Sequence, residues 1–167
     1  MRQLFRTAAL TSALLLAVSA GAHAKPTTIN KITVDVPDGF EMSKSSRGVE
    51  VKTPDDEVLT WFEVYKGSDS EVVEAEHVKY WDDNKVASHG DPDVKNTKMD
   101  GIDLQTRFYP NATWNGKPTI LRYVRIGPVG PDAKYVMMTV WASPEGINAH
   151  GKDVEHMLGT LDADTNP

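Results

Sequence analysis

A chain of 167 residues with 18 Lys and Arg against 24 Asp and Glu carries a formal charge of −6 and contains no cysteine. The acidic balance argues against a nucleic-acid surface, whose main affinity comes from neutralising phosphates, and against docking on anionic lipid. Without cysteine there is no disulfide framework, thiol nucleophile, thiolate metal site or lipid-bearing cysteine.

The first residues carry an export pattern. Arg2 and Arg6 make a positive start, residues 8–20 are apolar or small, and Ala22-His23-Ala24 is a small-x-small cleavage site. This predicts a signal peptide over 1–24, cleaved after Ala24, and a periplasmic protein. The formal charge then falls from −6 to −8, because Arg2 and Arg6 leave with the leader and no acidic residue does. The apolar stretch is too short for a comfortable bilayer span and no later window reaches ~18 uncharged apolar residues, so no stable membrane anchor is expected. The rest suits one domain, over 32–161.

Residues 25–31 read as a mobile leader. Ile32, Val34 and Val36 alternate with Thr33 and Asp35 as a first strand, which Pro37-Asp38-Gly39 turns. Val49 and Val51 mark a second strand, ended by Thr53-Pro54-Asp55-Asp56. From Val58 to Lys66 a third strand has bulk on both faces, which predicts a central place in a sheet. Ser68-Asp69-Ser70-Glu71 has the pattern of a capping box, and Val72, Ala75, Val78 and Trp81 form the expected apolar side of the helix that follows. That helix is expected to run to about Ser88-His89-Gly90, before Pro92.

Strict alternation of Ile102, Leu104, Thr106 and Phe108 with Asp103, Gln105, Arg107 and Tyr109 predicts a strand with one core face and one wet face. Asn115-Gly116 tolerates positive φ at both turn positions, so residues 102–127 read as a long hairpin closing there, with Pro110 and Pro118 marking an irregular, edge-like region near the tip. Tyr135–Ala142 is a buried last strand. Ser143-Pro144 caps a closing helix through Val154, Met157, Leu158 and Leu161, with Gly146 and Gly151 weakening its start. Residues 162–167 are a polar tail. Strands grouped before and after one helix imply an α+β fold, an antiparallel sheet flanked by helices.

"ITVDVPDGF" at 32–40, "IDLQTRFYPNATWNGKPTILRYVRIG" at 102–127 and the closing "YVMMTVWASPEG…VEHMLGTLD" resemble the superfamily that groups PsbP proteins, Ran-binding Mog proteins and bacterial DcrB-type periplasmic proteins. The resemblance runs over nearly the whole chain after the leader, through fold-forming positions. It implies a PsbP/Mog-like sandwich and accessory or binding roles rather than catalysis. No functional residue carries over, and membrane tethering does not, because the lipid-bearing cysteine of the bacterial lipoproteins is missing.

The residues themselves offer little catalytic chemistry. There is no Gly-x-Ser-x-Gly elbow, no glycine-rich phosphate cradle and no His-x-x-x-His pair, so no cofactor is expected. His89, Asp91 and Asp93, with Asp82 and Asp83, are secondary candidates for a cation at the helix end, although an acidic junction is ordinarily a solvated face. His77 reads as a surface or rim residue, and Trp61, Tyr65 and Trp141 as core beneath a helix. The candidate binding residues are Tyr109, Trp114 and Tyr123, gathered on the wet side or tip of the hairpin, where exposed aromatics anchor interfaces. The alternative is an ordinary Tyr109–Tyr123 cross-strand pair with Trp114 folded back on the sheet. These features favour a noncatalytic envelope binding or accessory protein engaging a protein partner or small ligand. An immunity or chaperone-like factor and an enzyme with an unfamiliar site are the alternatives, and nothing in the sequence signals an oligomeric state.

Overall fold

The computed structural model describes residues 25–163 apart from 30, 100 and 131. The expected signal peptide (1–24) and the last four residues of the polar tail lie outside the described residues. In chain order the elements begin β1 (Lys25–Ile29), β2 (Ile32–Val36), β3 (Glu41–Lys44), β4 (Gly48–Lys52) and β5 (Val58–Lys66). Helix α1 (Ser70–Asp83) follows, then β6 (Val86–Ala87), β7 (Asp93–Met99), β8 (Ile102–Tyr109), β9 (Thr113–Trp114) and β10 (Lys117–Pro118). The chain closes with β11 (Ile120–Val129), β12 (Lys134–Ala142), α2 (Pro144–Gly159) and β13 (Asp162–Ala163).

Seven strands form the main antiparallel sheet in the order β3-β4-β5-β12-β11-β8-β7. The expected α+β class is the observed one. β5 and β12 lie in the middle, which is why both have bulk on alternating sides: each face is covered. On one face Phe62, Val124, Met138 and Val140 pack beneath β2 and α2, joined by Val34, Val154 and Met157. On the other, Trp61, Tyr65, Leu121 and Met137 lie beneath α1.

The first predicted strand alternates as expected, with Ile32, Val34 and Val36 buried, but it does not join the main sheet. It is the middle strand of a small sheet, β1-β2-β13, laid over the core face beside α2. Residues 25–29, expected in a mobile leader, are β1 in register with β2 from Lys25↔Val36 to Ile29↔Ile32. The start of the expected polar tail pairs on the other side, Asp162↔Thr33. Polarity argued against order in both segments, but a strand edge offered by β2 satisfies their backbone groups whatever side chains they carry.

β3 and β7, the two edges of the main sheet, were not predicted. β7 is almost wholly exposed, so no core face imposes an alternating pattern on it. Its lysines, Lys95 and Lys98, suit an edge that must not recruit another chain. The long hairpin is present, with β8 and β11 paired from Tyr109↔Leu121 to Leu104↔Ile126. At its tip Asn115 (φ 49°) and Gly116 (φ 77°) form the two-residue turn between Trp114 and Lys117.

Helix α1 differs from its sequence reading at both ends. Ser68 does not cap it: the Ser68 hydroxyl donates to Asp69 Oδ1, residues 67–69 form a single 3₁₀ turn, and Asp69 is the N-cap, its side chain making no capping bond to the helix. The helix stops at Asp83, because Lys85 takes a positive φ of 61° and Val86 turns into the short strand β6 against β9.

Helix α2 starts as predicted. The Ser143 side chain accepts from the Gly146 amide at 2.8 Å, and Pro144 fills the first position, where no donor is needed. Gly146 has a packing role: a Cβ there would lie 2.6 Å from the Glu57 carbonyl oxygen. Ser143→Ala should cost ~1 kcal/mol in a denaturant titration. No measurable change would mean that Pro144 and packing alone set the helix start.

Candidate functional site

The face of the main sheet beneath α1 concentrates the polar and aromatic chemistry. Val73, His77 and Trp81 recur at i, i+4 and i+8 and are the buried residues of the helix. Of the expected side, Val72, Ala75, Val78 and Trp81, only Trp81 is buried, and Val72 and Val78 are 58% and 59% exposed. Hydrophobicity misassigned the seam because its middle position holds a histidine.

His77 is correspondingly a buried residue, 8% exposed, and not the rim residue expected. Its Nε2 lies 2.6 Å from Oε2 of Glu63, a β5 carboxylate that is 5% exposed. Arg47 Nε donates to the other carboxylate oxygen at 3.3 Å, and the same guanidinium reaches Glu76 on α1. Glu63 is thus held from both sides, and the network ties α1 to β5 and to the turn before β4. His77 Nδ1 is sealed from solvent and has no hydrogen-bond partner among the described residues. Through these contacts the Glu63–His77 pair braces the helix against β5.

The three candidate binding residues divide between two places. Tyr109 and Tyr123 meet edge to face with centroids 5.9 Å apart, as diagonal neighbours on β8 and β11. Tyr123 reaches beneath α1, where its hydroxyl accepts a hydrogen bond from Trp81 Nε1. Burial pushes its phenol above the ordinary range, keeping it protonated. Trp114 stands apart on β9, 46% exposed, edge-on to Trp141 at 5.5 Å.

Trp114 and Trp141 line a groove of about 300 Å³ with Tyr80 and Thr119, and Glu50, Lys52 and Glu57 also contribute to its wall. Behind it the rings continue inward, Trp141 to Trp81 at 5.7 Å, Trp81 to Trp61 at 5.2 Å and Trp61 to Tyr80 at 4.8 Å. Three indole N–H groups in this layer are committed: Trp61 to Glu50, Trp81 to Tyr123 and Trp141 to Thr119. The Trp114 indole N–H makes no hydrogen bond with a described residue, so it is available to a ligand. Sequence reasoning placed Trp141 in the core and left Tyr80 unassigned; the groove joins them only because β9 folds Trp114 back over the sheet end.

The acidic junction after α1 does not assemble. Asp83 pairs with Lys79 along the helix, and His89 Nε2 lies 3.3 Å from Thr113 Oγ1. Among the described residues no group of three or more His, Asp or Glu side chains is placed to hold a metal ion. No helix among the described residues is long and apolar enough to cross a membrane.

No protein-family model matches the sequence, and no curated protein matches it. Solved structures do. The cyanobacterial PsbP protein CyanoP of Synechocystis sp. PCC 6803 superposes with a TM-score of 0.54 at 10% identity, over 87% of this chain and 95% of that one. LpqN of Mycobacterium tuberculosis, described as involved in cell envelope biogenesis, superposes with a TM-score of 0.52 at 14% identity, over 85% of this chain and 86% of its own. The chain has a PsbP-like fold.

Proposed function

We propose that this is a noncatalytic accessory protein of the cell envelope, exported by its leader and released after Ala24, which binds a protein partner or small ligand at the hairpin end of the α1 face. The observation that carries this reading is Trp114: a large aromatic, nearly half exposed, seated on Trp141 at the wall of a groove and with its N–H uncommitted. A tryptophan held rigid by a second ring loses little entropy on binding and brings a large contact area, the combination found at interface hot spots. The fold shared with LpqN, a protein of envelope biogenesis, supports the compartment. The resemblance to DcrB-type periplasmic proteins supports it too, without their lipid anchor.

Trp114→Ala should leave the thermal transition close to that of the wild type while lowering recovery of a bound partner from envelope extract by ~30-fold, as loss of a hot-spot residue does. Equal recovery by both proteins would place the binding surface elsewhere.

A further inference from the structure

A second cavity, on the other flank of α1, has a different chemistry. It measures about 80 Å³ and lies between the helix and strands β8, β11 and β12, with Arg107, Arg125, Tyr109, Tyr123 and Glu74 in its wall. Water takes up ~30 Å³ per molecule in the liquid, so the space suits two or three waters or one carboxylate- or phosphate-sized group.

The strongest polar groups in this wall are the two guanidinium groups, which can only donate. Gln105 is used at both ends, its Oε1 accepting from Arg107 Nε at 3.0 Å and its Nε2 donating to Asn96 at 3.1 Å. The Tyr123 hydroxyl already accepts from Trp81 and has only its own proton left to give. His77 Nδ1, the one bare ring nitrogen nearby, is sealed from solvent and offers nothing to a ligand. The one carboxylate of the wall, Glu74, is engaged by Arg107 at 3.1 Å, and the Tyr65 and Tyr109 hydroxyls are neutral groups that can turn a proton toward a ligand.

The charges are unbalanced in the same sense. Arg125 lies opposite Gln105 and Arg107 opposite Tyr123, so the two arginines are diagonal neighbours on one face, with backbones ~7–8 Å apart. Glu74 answers Arg107. Arg125, half-buried, has no carboxylate partner among the described residues; its guanidinium rests over the Tyr135 ring at 5.1 Å. A stacked, partly desolvated guanidinium keeps its fork of N–H donors without a counter-charge, in a chain that is otherwise acidic.

We infer that this cavity is a binding site for a small oxyanion, a carboxylate or phosphate group held by the Arg125 fork, the free N–H groups of Arg107 and the Tyr123 hydroxyl. The site is separate from the Trp114 groove and does not depend on that groove being an interface. A free anion and the charged end of a larger molecule would present the same group.

The test is an amide NMR titration of the purified protein with sodium phosphate and, separately, sodium acetate, with chloride balancing ionic strength. Saturating shifts at the amides of Gln105, Arg107, Tyr123 and Arg125 are expected with at least one of the two. Arg125→Gln should weaken binding at least ~10-fold, the loss expected for a charge-assisted bond. Arg122→Gln, one strand position from Arg107's partner and on the opposite face, should leave it unchanged. Absence of saturating shifts at those amides with both anions overturns the inference whether or not the variants fold. So does an equal loss in folded Arg122→Gln and Arg125→Gln proteins, which would mark a diffuse charge effect.

Discussion

A Glu63→Ala variant is expected to lose ~3–5 kcal/mol of stability, read as a lower denaturation midpoint at unchanged slope. Glu63 is the acceptor on which both Arg47 and His77 converge, so its removal takes away the partner of a buried imidazole and one of two partners of a guanidinium. The cost comes from stranded polar groups more than from lost attraction. Its size should fall toward the lower limit, because Arg47 keeps Glu76. That second bridge ends on an exposed carboxylate and by itself contributes less than ~1 kcal/mol. Glu63→Gln retains an acceptor and should lose less than Glu63→Ala. Identical losses in the two variants, or a loss below ~1 kcal/mol in Glu63→Ala, would show that the network does not hold α1 to the sheet.

Gly48→Ala should be as damaging through a different mechanism. A Cβ at that position would sit 1.9 Å from the Phe62 carbonyl oxygen and 2.7 Å from Ile32 Cδ1. The first clash is with backbone in the sheet interior, so a change of rotamer does not relieve it. β4 would have to move off β5, disturbing the ladder from Gly48↔Glu63 to Lys52↔Leu59 and the closure over Ile32. Overpacking costs ~1–3 kcal/mol where side chains can give way, and this site belongs at or beyond the upper end. Thermal unfolding of the variant checks it: a midpoint within a degree or two of wild type would mean the two strands separate freely here.

Trp114 and Arg125 belong to two separate sites, and neither takes part in the Glu63 network or touches the space a Cβ at position 48 would fill. Their substitutions are expected to alter binding in a folded protein, whereas Glu63→Ala and Gly48→Ala reduce the amount of folded protein.

Much of the scaffold follows from the sequence because local chemistry and global packing agree there. The Ser143-Pro144 cap, the Asn115-Gly116 turn, and the two-sided β5 and β12 each satisfy a local rule that the packed structure also requires. The class of fold was legible for the same reason. Misreadings fell where a tertiary neighbour changes what a residue is worth. His77 looked like a solvent-facing position because imidazole is polar; a buried carboxylate 14 residues away on β5 makes it the middle of the helix seam. Val72 and Val78 looked like core, yet no sheet surface reaches them. Polar segments at 25–29 and 93–99 become strands because β2 and β8 offer unpaired edges, a backbone property that side chains do not announce.

The candidate site divides in the same way. Sequence alone determined that Tyr109, Trp114 and Tyr123 are aromatic, that Arg107 shares the wet face of a strand with Tyr109, and that the chain is acidic and free of cysteine. Only the tertiary structure decided that Tyr123 goes under a helix, that Trp114 is carried back onto Trp141, and that Arg125 is left without a carboxylate partner among the described residues. Period-2 alternation tells which side of a strand a residue takes. Which elements cover that side, and so which groups lose their water and need a partner, depends on contacts between residues far apart in the chain.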